Sequence, residues 1–452
     1  MDPLHLNRDA LLAGLEEFLR IPSISALPEH SGDIRRAAEF VRAGLASAGM
    51  ASAELIEGDG NPLVYAEWLG AKGKPTLLLY GHYDVQPPDP LDEWISPPFE
   101  PQIRNGNIYA RGAADDKGQV YILMQAVAGL LARDGKLPVN VRYLIEGEEE
   151  VGGEHIEAYV STKPARLQAD AAIICDTEMF APDLPTLCVG LRGIVYGELH
   201  VEGANHDLHS GIYGGAAPNP IQAIAEILTA LKDRDGHILI PGFYDRVAPP
   251  NAKERAAWAR LPFDEREYRE QEMGARELVG EPEIPLFERL WARPTLEVHG
   301  IRGGFTGEGA KTVIPARAVA KISTRLVADQ RPDEALEQLQ RAVAAATPRG
   351  VTAGFRLIHA APPSLVNPDN IFIRTAAEAL RDVFGRKTVY IRSGGSIPIA
   401  GLFDQKLGIP SVMMGFGLPD DNLHAPNEKF HLPNFFRGIE AVAHYLERLA
   451  AS

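Results

Sequence analysis

The sequence predicts an α/β fold interrupted by a smaller inserted α+β domain, and three observations carry that expectation. Strand and helix patterns alternate along both ends of the chain. Several strands are short, continuously apolar runs, the mark of a sheet buried on both faces. Near residue 192 the texture changes to half-exposed strands and amphipathic helices, and the first pattern returns after about residue 363.

Each element follows from spacing. Leu11, Leu12, Leu15, Phe18 and Leu19 recur at helical intervals, as do Ile34, Ala38, Val41 and Leu45. Residues 76–80 read as a buried strand, 119–133 as a helix, and 139–145 and 171–175 as further strands. In the middle third, 195–202 alternates like a strand and 220–231 is an amphipathic helix with Pro near its start. Strands near 295–299 and at 318–327, a helix at 333–346 and a strand at 351–358 complete a β-α-β-β-α-β order, which matches a ferredoxin-like sandwich. The charged, Pro-bearing stretch 233–294 reads as an extra insertion with local helices. A helix at 371–384, strands at 388–391 and 411–415, and a closing helix from about Asn434 restore the α/β texture. The expected domains are therefore 1–192 with 363–452, and an inserted 193–362.

Composition narrows the function. The 452 residues are 45% hydrophobic and 23% charged, with a net charge of −16. That balance disfavours a nucleic-acid surface, which needs a basic stripe, and docking on an anionic membrane. No apolar run reaches the roughly 18 residues that span a bilayer. The start MDPLHLNRDALL lacks the basic and apolar segments of a signal peptide. With only Cys175 and Cys188, there is neither a disulfide framework nor a cysteine-rich zinc site. A soluble cytoplasmic protein is expected.

Five polar motifs lie at or just after expected strand ends, where α/β sheets bind ligands. In GHYDVQP (81–87), His82 and Asp84 are two apart and share a face of extended chain. A metal-bound His usually gives its second ring N–H to an acceptor, and Asp84 is one. RGAADDKG (111–118) opens a helix; its acids could cap that helix or bridge cations. In EGEEEVGG (146–153), Glu149 and Glu150 can converge only if the chain leaves the strand there, which the following glycines permit. CDTE (175–178) and NLHAPNE (422–428) complete the set. Each alone has a bland alternative in a solvated loop or a helix cap. Together they favour a shared metal site of His and carboxylate ligands.

GHYDVQP, RGAADDKG, EGEEEVGG, the Asp after IIC and NLHAPNEKF stand in the order found in the co-catalytic zinc dipeptidases, and the chain resembles their carnosinase and cytosolic nonspecific dipeptidase branch. DLHSGIYGG (207–215), ILIPGFYDRVAPP (238–250) and GAKTVIPARAVAKISTRLV (309–327) extend the likeness to the inserted region. The resemblance implies a zinc-peptidase-like α/β catalytic domain with an inserted ferredoxin-like lid and dimerisation domain. It implies a dipeptidase acting on small peptides with two divalent ions, Zn²⁺ first and Mn²⁺ second. One ion would be held by His82, Asp115 and Asp176, the other by Asp115, Glu150 and His424. Asp84 would orient His82, Glu149 would be the general base, and the Asp115–Asp116 peptide bond would be cis.

The resemblance further implies a homodimer in which His209 reaches the partner's active site and stabilises the oxyanion. Arg325 would bind the substrate carboxylate, and Gly394, Gly395 and Ser396 would approach the substrate. Two departures lie in regions expected to touch substrate. Ser393 stands where carnosinase-type enzymes have Glu, and Asn367-Pro368 where they have His-Pro. Carnosine is therefore not the expected preferred substrate. An N-acyl-amino-acid deacylase or carboxypeptidase is the alternative reading, and a catalytically silent binding protein a third. In the resembling proteins Asp at the position of Asp176 accompanies aminopeptidase or dipeptidase action, which favours peptides over N-acyl substrates, and the intact Glu149 argues against the silent protein.

Overall fold

The computed structural model describes Leu4 and residues 7–451. It divides into two compact units. The first runs up to Val189 and takes in Val366–Ile391 and the chain from Leu402; the second is Gly190–Leu365 with Arg392–Gly401. The boundaries thus fall a few residues from 192/193 and 362/363. The stretch 392–401, assigned from sequence to the catalytic domain, belongs to the inserted unit. Its backbone and side chains are tied to that unit by hydrogen bonds that a linear reading cannot see.

The main sheet of the first unit has the spatial order Ser52–Ile56, Leu63–Trp68, Asn140–Glu146, Thr76–His82, Ala171–Ile174, Ser411–Met413 and Thr186–Leu191. Its centre is parallel: Thr76–His82 pairs in parallel with Asn140–Glu146 and with Ala171–Ile174, which pairs in parallel with Ser411–Met413. Along Thr76–His82 every residue after Thr76 is buried. Leu77 and Leu79 pack into the large core with the helices Lys117–Asp134 and Leu432–Ala451, while Leu78 and Tyr80 are buried on the other face. Burial on both faces explains why this strand reads as an unbroken apolar run. The edge strand Ser52–Ile56 and its inner neighbour Leu63–Trp68 have no counterpart in the sequence reading. The first is only half-buried along its length, so it carries no clear period.

The second unit contains a four-stranded antiparallel sheet ordered Thr295–Gly303, Arg317–Leu326, Gly193–Glu202, Thr352–Ala361. The helices Pro220–Leu231 and Pro332–Ala346 pack on it through Ile224, Ile227, Leu231, Leu339 and Val343. Order and topology are those of the ferredoxin-like sandwich. Asn219 caps the first helix, accepting from Ile221 N–H with Pro220 at the first turn. The 233–294 stretch carries the helices Ala252–Trp258 and Leu286–Trp291, joined by ring contacts such as Trp258 on Trp291 at 5.2 Å. Among the described residues no helix is long and apolar enough to cross a membrane.

Candidate active site

The first unit brings its metal-type side chains together at the strand ends. His82 is the last residue of Thr76–His82 and has no exposed surface. Its Nδ1 lies 3.1 Å from the Asp84 main-chain oxygen and 3.4 Å from the Asp84 carboxylate. The closer acceptor is therefore the carbonyl, and the donated Nδ1–H leaves Nε2 with a free lone pair. The Asp84 carboxylate, also fully buried, accepts Glu150 N–H at 3.2 Å. One residue thus orients two of the expected ligands.

Asp115 sits at the centre. One oxygen is 3.1 Å from His82 Nε2 and the other 2.9 Å from His424 Nε2. Asp176, just past Ala171–Ile174, reaches to 4.0 Å of His82 Nε2, and Glu150 to 3.4 Å of His424 Nε2. Two donor groups result, His82–Asp115–Asp176 and Asp115–Glu150–His424, each with its atoms within 4.8 Å of one another. Ligands about 2.1 Å from one tetrahedral ion lie roughly 3.4 Å apart, so these separations fit cations. The Asp115–Asp116 peptide bond is cis.

Glu149 and Glu150 lie in the short 3-10 turn Glu149–Val151, after the strand has ended at Glu146. Gly152 and Gly153, at φ 117° and 63°, take conformations that side chains rarely adopt, so the turn depends on them. The Asp116 side chain makes no cap hydrogen bond to the helix it precedes and instead accepts the His82 main-chain N–H at 3.1 Å.

Charge makes the same case for a cation. Burial works to raise Asp115, but its hydrogen bonds with His424 and His82 hold it below the usual carboxylate range. Burial, with the charge of Asp115 added, pushes Asp176 up to about 7. Burial likewise lifts Glu149 well above its ordinary value, with Asp176 and Glu150 adding to the shift while His82 opposes it. The hydrogen bonds that Asp115 and Glu150 accept from His424 raise it to about 10. Two imidazoles do not neutralise this many acids, and buried oxygens of Asp84 and Asp116 have no hydrogen-bond partner. A donor set of imidazole and carboxylate suits Zn²⁺ or Mn²⁺.

The profile of peptidase family M20/M25/M40 matches residues 78–448. The chain belongs to this peptidase family. It is a hydrolase of the metallopeptidase kind, with the M20 fold and its inserted domain. It is 31% identical to the Cys-Gly metallodipeptidase dug1 of Schizosaccharomyces pombe, over 98% of this chain and 96% of that protein. It is 32% identical to the human Beta-Ala-His dipeptidase, over 99% and 91%. Among solved structures, the M20 family metallo-carboxypeptidase Sso-CP2 of Sulfolobus solfataricus superposes with a TM-score of 0.87 at 34% identity, covering 98% and 99%.

Two residues beside the donor groups had no role in the sequence reading. Gln86 donates to the Glu150 carboxylate at 2.8 Å. Glu428, with no exposed surface, accepts from Arg111 Nη1 at 2.6 Å and from the N–H groups of Gly112, Ala114 and Asp115 at 2.9, 2.9 and 3.1 Å. It therefore pins the loop that carries Asp115. Both lie inside the quoted motifs, but nothing in their spacing tells them from loop residues. His424 itself has a left-handed backbone, φ 59°, a strained state often found at functional sites.

The remaining expected site residues lie in the inserted unit. His209 is exposed, and its Nδ1 accepts Gly211 N–H at 3.0 Å, which puts the ring proton on Nε2. Arg325, half-buried on Arg317–Leu326, donates to Ser396 Oγ at 2.7 Å. Gly394 makes a close approach within its own unit: a Cβ there would stand 2.8 Å from Arg192 Nη2 and 3.2 Å from Leu290 O. Ser393 Oγ accepts Gly395 N–H at 3.1 Å, and Arg392 is bound by Glu254 at 2.5 Å. The 233–294 stretch thus braces the loop that carries Gly394, Gly395 and Ser396.

Proposed function

We propose that the chain is a cytoplasmic, metal-dependent dipeptidase that hydrolyses the peptide bond of dipeptides. The observation that carries this reading is the sharing of Asp115 between two donor groups, His82–Asp115–Asp176 and Asp115–Glu150–His424, with Glu149 beside Glu150. The first group would hold one divalent ion and the second another, Zn²⁺ first and Mn²⁺ as the alternative. When bound, such a pair polarises the scissile carbonyl and lowers the pKa of the attacking water.

The chain's own groups do the rest. Glu149 takes the water's proton and delivers it to the leaving amine. Asp84 keeps Nδ1–H of His82 engaged, so that Nε2 faces Asp115. His209, with its proton on Nε2, donates to the developing oxyanion of a partner subunit's substrate. Arg325, with Gly394, Gly395 and Ser396, binds the substrate's carboxylate end.

The in-trans role makes the protein a homodimer built through the inserted domain. Exposed Ile212, Tyr213, Val298 and Ile301 in that unit suit such an interface. A cytoplasmic setting suits a chain with only two cysteines, both buried. The dipeptidase names of two relatives support the substrate class. The carboxypeptidase name of the structural relative favours, as second reading, release of a C-terminal residue from longer or N-acylated substrates by the same groups.

A panel of dipeptides, tripeptides and N-acyl amino acids, assayed with Zn²⁺ or Mn²⁺ supplied, separates the two. Dipeptides are expected to turn over fastest. Cleavage of N-acyl amino acids with dipeptides untouched would overturn the first reading.

A further inference from the structure

Arg192 lies between the strands Thr186–Leu191 and Gly193–Glu202, where a lone arginine ordinarily reaches into solvent. Here it does not. Side chains two apart in extended chain share a face, and Ile194 pairs directly with Arg325 across the sheet. Arg192 and Arg325 therefore approach each other diagonally on one face of the inserted unit's sheet. They are close enough that the charge of Arg325, added to burial, depresses Arg192 to about 10.

Two like charges so placed need a reason. Neither guanidinium pairs with a carboxylate among the described residues. Arg192 Nη1 is buried with no hydrogen-bond partner. Glu297, whose charge reaches Arg192, is already held by Lys232 at 2.9 Å. Desolvated charges are normally paired, so this pair is built for an anion that the chain does not itself provide.

The surroundings are organised to the same end. Arg192 N–H donates to Gly395 O at 3.1 Å, its Nε donates to Gly394 O at 2.9 Å, and its carbonyl accepts from Ser396 Oγ at 2.5 Å. Ser396 Oγ in turn accepts from Arg325 Nη1. With Nε committed to the loop, the Nη groups of Arg192 are the ones left for a ligand. The hydroxyl of Ser396 links the two arginines into one socket.

We propose that Arg192 is a second carboxylate-reading cation, which forms with Arg325 a twin-guanidinium socket for the α-carboxylate of the substrate's C-terminal residue. This deepens the dipeptidase reading and rests on it for the identity of the anion. Two planar forks around one carboxylate give far more discrimination against a neutral terminus than one. The socket therefore selects free C-termini and rejects peptide amides.

The test uses the metal-loaded Glu149→Gln protein, in which binding is read without turnover. Calorimetry compares glycyl-leucine with glycyl-leucine amide, before and after Arg192→Gln and Arg192→Lys. The preference for the acid is expected to fall about 10-fold or more with Gln, the cost of a charge-assisted hydrogen bond, and less with Lys. Metal content is expected to stay the same. A purely structural role predicts that acid and amide weaken together with their ratio unchanged, and that result overturns the proposal. Equal binding of acid and amide before the change at Arg192 also overturns it. Steady-state kcat/KM for the same acid and amide, with Glu149 restored, gives the ratio independently. Dipeptide turnover by that protein judges the dipeptidase reading on its own.

Discussion

The two regions that carry chemistry-bearing groups are built in opposite ways. In the first unit, acids stand at the ends of buried parallel strands, and their positions are overdetermined. Asp115 touches two imidazoles, its loop is clamped by Glu428, and Glu150 is held by both Asp84 and Gln86. In the inserted unit, cations stand on a loop and an antiparallel sheet, tied by carbonyls and one hydroxyl, and His209 is open to solvent. The difference teaches a division of labour. A rigid, acid-rich centre suits bound cations and proton transfer, and a cationic, loop-borne surface suits reading the substrate. Changes in the first region are expected to act on metal and kcat, and changes in the second on KM and specificity, with His209 the deliberate exception.

The sharpest way to break that division is Asp115→Asn. Because both donor groups share this residue, the variant is expected to lose both ions at once and to drop turnover by more than about four orders of magnitude. Metal analysis together with an activity assay checks it. Loss of a single ion with the other retained would show that the groups are independent.

His209→Ala tests the exception. Turnover is expected to fall about 10²–10³-fold, as on removal of an oxyanion donor, with metal content intact. Unchanged turnover removes the in-trans role.

Glu428→Gln has the smaller effect. It breaks a buried pair with Arg111 and loosens the loop that carries Asp115, so metal affinity is expected to fall about 10–100-fold. The melting temperature is also expected to fall, because the buried Arg111 charge loses its carboxylate. Metal titration and thermal melts read the two. A lower melting point with unaltered affinity would make Glu428 a purely structural residue.

Much of this was legible in the sequence, for reasons that can be named. Thr76–His82 is visible because burial on both faces leaves only apolar residues. The motifs that hold His82, Asp115, Glu150, Asp176 and His424 stand out as polar breaks in or after apolar segments, and the choice of these five residues within them comes from the resemblance to the zinc dipeptidases. The half-buried strand Ser52–Ile56 offered no such contrast. Glu428 escaped notice because its role exists only once the loop at 111–115 meets the one at 424–428. Arg192 escaped for a related reason. An arginine before a strand reads as a surface residue until the sheet register sets it beside Arg325.

Glu149→Gln, with metal content and kcat measured on the same sample, tests the central claim most directly. Glu149 belongs to neither donor group, so both ions are expected to stay bound while kcat falls about 10²–10⁴-fold, the worth of a positioned general base. Full metal occupancy with undiminished kcat would contradict the account.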